Sequence, residues 1–469
     1  MSVVNRPTEV QIDSKGLERP SLSRRALCGI VALAIVWSTS TVFAEDGKLT
    51  REEKLKQDRE RVEAQGRWMY NDIPGGFAKA KETGKPMMVV LRCVPCEECV
   101  KLDDELVETD PAISRLLDEF VCVRQVSTNG LDLSIFQYDT DQSFAVFFLN
   151  ADKTVYGRFG TRSHRTDWLQ DVSLEGMAKA MQAALALHKR YPDNQEMLVG
   201  KQATDPDVTS PEQYPSLREK YTSRLKSGSE LVKSCIHCHQ IGDAQREYYW
   251  QSEGPVPDRV IFQYPHPKSI GLILDPKERA TVSRVVEDTP AAAAGFQAGD
   301  NIIMLDGQPM ISMADVQWVL HALPAEGGEV TAQIRRGGEP QQVTLRLADG
   351  WRELDDISWR VSSWGLRRIA LGGIKLGPVE EDQRESLGLG ENAMALEATS
   401  VGKYGPHATA RKQGFREGDI LVSFDGRDDF AREADVFAYV LRNHKAGDEV
   451  AVEFLRNGQK RKLMLPIQE

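Results

Sequence analysis

No basic tract stands out in this chain, no apolar run is long enough for a comfortable membrane span, and the common hydrolase signatures are missing. Each gap excludes something. The formal net charge is -11, with 59 Lys+Arg against 70 Asp+Glu, so nothing is assembled to meet phosphates and a nucleic-acid partner is excluded. The most apolar stretch, "ALCGIVALAIVW" from Ala26, falls short of the roughly 20 residues a bilayer requires. Gly-x-Ser-x-Gly, HExxH and a glycine-rich phosphate loop do not occur, and the eight histidines are scattered, so no protease or nucleotide-binding motif is present. Cysteine is sparse as well, with seven in 469 residues, and its placement carries most of the information.

What is there begins with an export signal. Arg24 and Arg25 precede the apolar run, "STSTVFA" follows it, and Val42 and Ala44 fit the small-residue pattern before a cleavage point. The expectation is an exported, periplasmic protein cleaved near Ala44, with no stable membrane span afterwards. "SRRAL" (Ser23 to Leu27) resembles a twin-arginine signal. Cys28 is lost with the signal, which leaves Cys93/Cys96/Cys99, Cys235/Cys238 and a lone Cys122. Outside the cytosol such thiols can be oxidised, and they meet the machinery that attaches haem.

A length of 469 residues exceeds one core and predicts several domains. After the signal (1–44) comes a charged helical lead (45–66). Residues 67–192 then alternate strand and helix, with "MMVVL" and "FAVFFL" as buried strands and "DPAISRLLDEF" capped by Asp110, a pattern that implies an open α/β sheet. A polar segment (193–267) follows. Beyond it lies an internal repeat: "AGFQAGDNIIMLDG" returns 119 residues later as "QGFREGDILVSFDG", and "ADVQWVL" returns as "ADVFAYVL". The repeats span 268–350 and 366–469, with 351–365 as a linker. The predicted fold class is multidomain, α/β plus β-rich.

The polar segment contains "SCIHCHQIG". Two cysteines three apart on a helical turn can take the two haem vinyl groups as thioethers, and the adjoining histidine meets the iron. A structural disulfide, or a partial zinc site using His237, is the alternative reading. With its flanks, "SGSELVKSCIHCHQIGD" resembles the start of a c-type cytochrome, a helix from Gly228 entering the motif. That resemblance implies one covalent haem c on Cys235, Cys238 and His239. No methionine lies between Met197 and Met304, so His266 is the candidate sixth ligand. Arg246 and the aromatics of "REYYWQ" could shield the group or could be ordinary packing.

"GKPMMVVLRCVPCEECVKL" resembles the thioredoxin superfamily: Gly-Lys-Pro, a buried strand, then Cys-x-x-Cys opening a helix. The resemblance implies a thioredoxin-like α/β sandwich with Cys96 as nucleophile and Cys99 as resolving thiol, because Cys96 stands ten residues after Pro86 as in that family. A helix N-terminus favours such a thiolate, whereas Glu97 and Glu98 oppose it. The family's cis-proline should fall near Ser143 or Phe144, and neither is proline. A disulfide-stapled or metal-holding relic of the fold is the alternative. Cys122, in an apolar strand, reads as inert core.

Both repeats resemble PDZ domains, small β-barrel-like modules of the kind found in high-temperature-requirement periplasmic proteases. The resemblance places a carboxylate-holding loop at Ile270 and Gly271, a peptide-pairing strand at Leu272, Ile273 and Leu274, and a far wall at the helix from Met313. In the second repeat the loop falls at "LGGIKL" (371–376). The combined expectation is a periplasmic redox protein with a haem c and a Cys-x-x-Cys, brought to protein C-termini by tandem PDZ domains, its redox partner unspecified. The alternative is a non-enzymatic scaffold or quality-control adaptor with a structural or sensory haem.

Overall fold

The computed structural model describes residues 50–92, 111–142, 144–160, 172–202, 206–226 and 230–469. All of them belong to one compact unit, Leu49–Glu469. The signal, Cys93, Cys96, Cys99, Asp110, Ser143 and Gly228 lie outside the described residues.

The charged lead forms α1 (Arg51–Ala64), opened by a capping box in which Thr50 and Glu53 satisfy each other's backbone N–H groups. Five strands follow: β1 (Trp68–Tyr70), β2 (Met87–Arg92), β3 (Val121–Gln125), β4 (Phe144–Leu149) and β5 (Val155–Phe159). They lie in the order β1-β3-β2-β4-β5, with β1, β3 and β2 parallel and β4 and β5 antiparallel to their neighbours. The central strands β2 and β4 are buried along their whole length, which is why they read as unbroken apolar runs. Alternate residues feed opposite faces. Met88, Val90, Val146 and Phe148 pack against α3 (Pro111–Leu117) and α4 (Leu174–Lys189). Met87, Val89, Leu91, Phe147 and Leu149 face the other way, toward Ala80 of α2 (Ile73–Thr83).

That second face is completed by the polar segment. Tyr214, Leu217, Ile236, Cys238, Ile241 and Ala244 join the same apolar cluster, so the segment is a structural part of the α/β body rather than a tether. Its main helix, α5 (Cys238–Gln251), begins at the second cysteine, and a short 3-10 turn (Val232–Ser234) precedes the first. The helix therefore leaves the motif, where the sequence predicted one entering it. Its far end places Trp250 in the core of the second repeat.

The first repeat has a two-stranded sheet, β6 (Leu272–Leu274) with β7 (Val282–Val285), and a four-stranded sheet, β11-β10-β8-β9, built from β8 (Asn301–Leu305), β9 (Gln308–Pro309), β10 (Gly328–Arg336) and β11 (Glu339–Leu347). The helix α6 (Met313–Ala322) is buried on all sides from Met313 to Leu320, because the α/β body covers its outer face. Lys201 pairs with Asp315 at 2.9 Å with both side chains fully buried. The Arg158 N–H donates to Asp315 Oδ1 at 3.1 Å, the Arg158 guanidinium stacks 3.8 Å from the Trp318 ring centroid, and Trp318 Nε1 donates to the Gly200 carbonyl at 2.8 Å.

The segment expected as a linker is tied into the body by buried side chains, while Leu354 and Trp364 stay exposed. Arg360 donates to Asp139 at 2.9 Å and to the carbonyls of Gln263 and Tyr264, and stands 3.7 Å from Asp355. Asp141 accepts from the Ser362 hydroxyl at 2.8 Å. The second repeat follows with α7 (Ser363–Leu371), β12 (Ile374–Pro378), β13 (Leu396–Val401), β14 (Ile420–Phe424), α8 (Glu433–Asn443), β15 (Glu449–Arg456) and β16 (Gln459–Pro466), its strands in sequential order with β12 and β16 at the edges.

Candidate functional site

In an open α/β sheet, chemistry gathers beyond the carboxyl ends of the parallel strands. Here β2 ends at Arg92, immediately before Cys93 and the candidate pair Cys96/Cys99, which lie outside the described residues. The Arg92 guanidinium stands 4.0 Å from Asp58 of α1. Arg124, at the end of β3, donates to the same carboxylate at 2.5 and 3.1 Å, and the Tyr70 hydroxyl donates to it at 3.1 Å. Burial works to raise the pKa of Asp58, but the bonds from and the charges of Arg124 and Arg92 outweigh it and hold the carboxyl below its ordinary value.

At this end of the sheet opens a cavity of about 990 Å³, at the upper end of the range of small-molecule sites, roughly 300–1,000 Å³. Leu55, Tyr70, Val126 and Leu231 give it apolar walls, Lys56, Arg59, Arg224 and Lys226 with Glu52 and Glu53 line it with charge of both signs, and Cys235 forms part of its lining. The "SCIHCH" segment is stitched there by Asn129, whose side chain donates to the Ser234 carbonyl at 2.9 Å and accepts from the Ile236 N–H at 2.8 Å. Thr128 adds a hydroxyl bond to the Ile236 carbonyl at 2.8 Å. Cys235 Sγ lies 3.8 Å from the Val126 carbonyl, and burial pushes its thiol pKa up.

The other motif residues point elsewhere. Cys238 is buried in the apolar cluster beneath the sheet with Ile236, Ile241 and Ala244. His239 stacks in parallel on His237 with ring centroids 5.9 Å apart. Burial, then the charges of His239 and Arg51, lower the His237 pKa to about 4, so its imidazole is neutral at neutral pH. His266 Nδ1 accepts from the Lys268 N–H at 3.1 Å, capping a 3-10 turn, and the His266 backbone N–H bonds to Asp355. A haem c requires both thioether sulfurs and the imidazole on one wall. Of Cys235, Cys238, His239 and His266, the lining of this cavity includes Cys235, while Cys238 lies in the apolar cluster beneath the sheet. Among the described residues no cluster of three or more His, Cys, Asp or Glu side chains could hold a metal ion. Arg246 pairs with Asp243 at 2.5 Å, Tyr249 bonds to Asp207 and Trp250 is core, while Tyr248 is exposed. Cys122 is buried in β3, and burial raises its thiol pKa to about 12.

Ile270 ends a 3-10 turn, and Gly271 follows at φ 90°, where a Cβ would meet Thr289 Oγ1 at 2.0 Å. Leu272, Ile273 and Leu274 then form β6, with Leu272 and Leu274 facing the core and Ile273 half-buried. In the second repeat Gly373 adopts the same φ of 90°, and its Cβ would meet the His407 carbonyl oxygen at 1.9 Å. Sequence reasoning missed two features of these sites, the Asp58–Arg124 pair and a bond from the Leu376 N–H to Glu433 Oε1 at 2.7 Å. Their partners are 66 and 57 positions apart, so no local spacing announced them.

Comparison with known proteins agrees with this layout. A thioredoxin-like family model matches residues 68–151, and a PDZ-domain family model matches 266–347 and 394–467. The chain is similar to a probable periplasmic serine endoprotease, DegP-like, of Pseudomonas savastanoi, with 28% identity over 40% of this chain and 37% of that protein. Its counterpart in Halomonas elongata is 30% identical over 32% of this chain and 29% of that protein. The chain thus spans well under half the length of these curated relatives. Among solved structures, the HtrA-type protease AlgW S227A with a decapeptide is similar at 19% identity and a TM-score of 0.20, covering 30% of this chain and 40% of that one. The chain carries a thioredoxin-like domain followed by two PDZ domains.

Proposed function

We propose that this is an exported, periplasmic protein that binds protein C-termini through its PDZ domains and presents a thioredoxin-like dithiol to the proteins so held. The observation that carries this reading is the buried junction of α6 with the thioredoxin-like sheet, Lys201–Asp315 and Arg158–Trp318. It fixes the wall of the first PDZ groove to the domain whose strand β2 runs into the Cys96/Cys99 motif. The chemistry is thiol–disulfide exchange: the Cys96 thiolate attacks a substrate disulfide, one substrate sulfur leaves as thiolate, and Cys99 resolves the mixed disulfide, becoming oxidised as the substrate is reduced. A second dithiol protein must then return the electron pair. The periplasmic DegP-like relatives support the location, and the missing hydrolase motifs argue against proteolysis. The test is a trapping variant, Cys99→Ser, expected to accumulate mixed disulfides with client proteins that vanish when Cys96 is also replaced. Clients captured equally well without any thiol would favour the non-enzymatic adaptor instead.

A second reading adds one covalent haem c on Cys235, Cys238 and His239, with His266 as distal ligand. The cavity of about 990 Å³ at Cys235 favours it; the seat of Cys238 in an apolar core opposes it. A reduced α-band in the visible spectrum of protein matured with haem attachment, lost in Cys235→Ala, would establish it. A colourless product in a host that matures a control cytochrome would remove it.

A further inference from the structure

The two PDZ domains can be compared position by position, because the repeat aligns them. Gly271 and Gly373, each at φ 90°, immediately precede β6 and the edge strand β12, so Leu274 corresponds to Leu376. The shared Ala-Asp-Val at the start of α6 and α8 places Met313 opposite Glu433, each the first residue of its helix.

That one position changes what the edge strand offers. A peptide adds to a PDZ domain by pairing with main-chain groups of the strand that faces the helix. In the second domain β12 has β13 as its one strand neighbour, and its Leu376 N–H is already held by Glu433 Oε1 at 2.7 Å. Arg367 of α7 grips the same carboxylate with Nη2 at 2.5 Å and Nε at 2.9 and 3.1 Å, both side chains being 4% exposed or less. An incoming peptide would have to displace a buried carboxylate and leave Arg367 without its counter-charge, which is strongly unfavourable. Leu366, Ile369 and Leu371 of α7 also pack in one core with Leu376 of β12 and Phe437 of α8. In the first domain Met313 has no oxygen to offer, and among the described residues no side chain bonds to a main-chain N–H of β6.

We infer that Glu433 with Arg367 closes the second PDZ domain against peptides, so that the proposed reading of protein C-termini falls to the first PDZ domain. The inference rests on the reading of these domains as binders of protein C-termini. Ile270, Leu272 and Leu274 face the core of the first domain and Ile273 is half-buried, so recognition there rests on main-chain pairing and the free carboxylate.

Hydrogen–deuterium exchange on the full mature chain tests this, using a pool of decapeptides ending in Val, Leu or Phe, with amidated peptides as the control. The expected result is protection of 270–275 and 313–322, no change at 374–378 or 433–443, and no protection with the amidated pool. Protection at 374–378 would overturn the inference while leaving C-terminus recognition intact; protection nowhere would overturn both. The paired variant Arg367→Leu/Glu433→Met, which gives the second domain the chemistry of the first, should raise the stoichiometry from one peptide per chain to two. A folded variant that still binds one would refute the closing role of Glu433. Should the variant not fold, exchange on the unaltered chain decides.

Discussion

Single residues set the local chemistry at the carboxyl end of the sheet. Asp58 is held below its ordinary pKa by Arg124 and Arg92, so it contributes stability above the unfolded value of about 3.9, and that stability is lost as pH falls through the lower folded value. Replacing it by Asn removes one counter-charge from Arg124, whose side chain is 0% exposed. Removing one partner of a buried pair costs about 3–5 kcal/mol; urea unfolding at pH 7 should show a loss of that order, shrinking toward pH 3. Cys122 behaves oppositely to a reactive thiol, since burial raises its pKa to about 12. Iodoacetamide should leave it unmodified in the native protein and label it only in urea, as read by peptide mass mapping.

At the scale of elements, legibility followed periodicity. The strands β2 and β4 announced themselves because burial on both faces leaves an unbroken apolar run, whereas the loops before β6 and β12 were placed by resemblance to PDZ domains, and the structure gives their glycines a positive φ. The helix α6 was placed by its repeat rather than by an amphipathic stripe, since a helix enclosed on every side carries none. What could not be read was the burial of Arg360 among Asp139, Asp141 and Asp355, since its acidic partners on the sheet side lie some 220 residues away. For the candidate site, the motif residues were visible but their directions were not: the side to which Cys238 turns depends on a sheet face assembled from distant segments. The Arg360 cluster has a pH signature. Burial, with the nearby Asp141 charge, raises the Asp139 pKa to about 6, even against the attraction of Arg360. A folded pKa above the unfolded one means this group's contribution is largest below about 3.9 and declines as pH rises through about 6. Asp139→Asn, fixed in the neutral form, should therefore compare more favourably with the unaltered protein at pH 7.5 than at pH 5 in paired urea titrations.

On the scale of the whole molecule, the segments between the predicted domains are packed into their neighbours. Residues 193–267 complete a face of the thioredoxin-like sheet, and Ile311 of the first PDZ domain lies in the other face's core. A fragment ending at Pro192 should therefore expose apolar surface and aggregate, whereas 45–469 stays monodisperse in size-exclusion chromatography. Loosening one contact tests the junction more gently. A Cβ at Gly157 would lie 2.4 Å from Ile311 Cδ1 and 2.7 Å from Asp315 Oδ2, so Gly157→Ala should speed proteolysis within 190–270 while preserving the secondary structure seen by circular dichroism. One further consequence follows from α5. Its 14 residues make a rod of about 21 Å, with Cys238 and Ile241 anchored under the thioredoxin-like sheet and Trp250 anchored in the second PDZ domain. Such a rod carries load between two bodies: any modification that drags Cys238 from its socket also tugs on Trp250, and a tug at the PDZ end is felt at the sulfur.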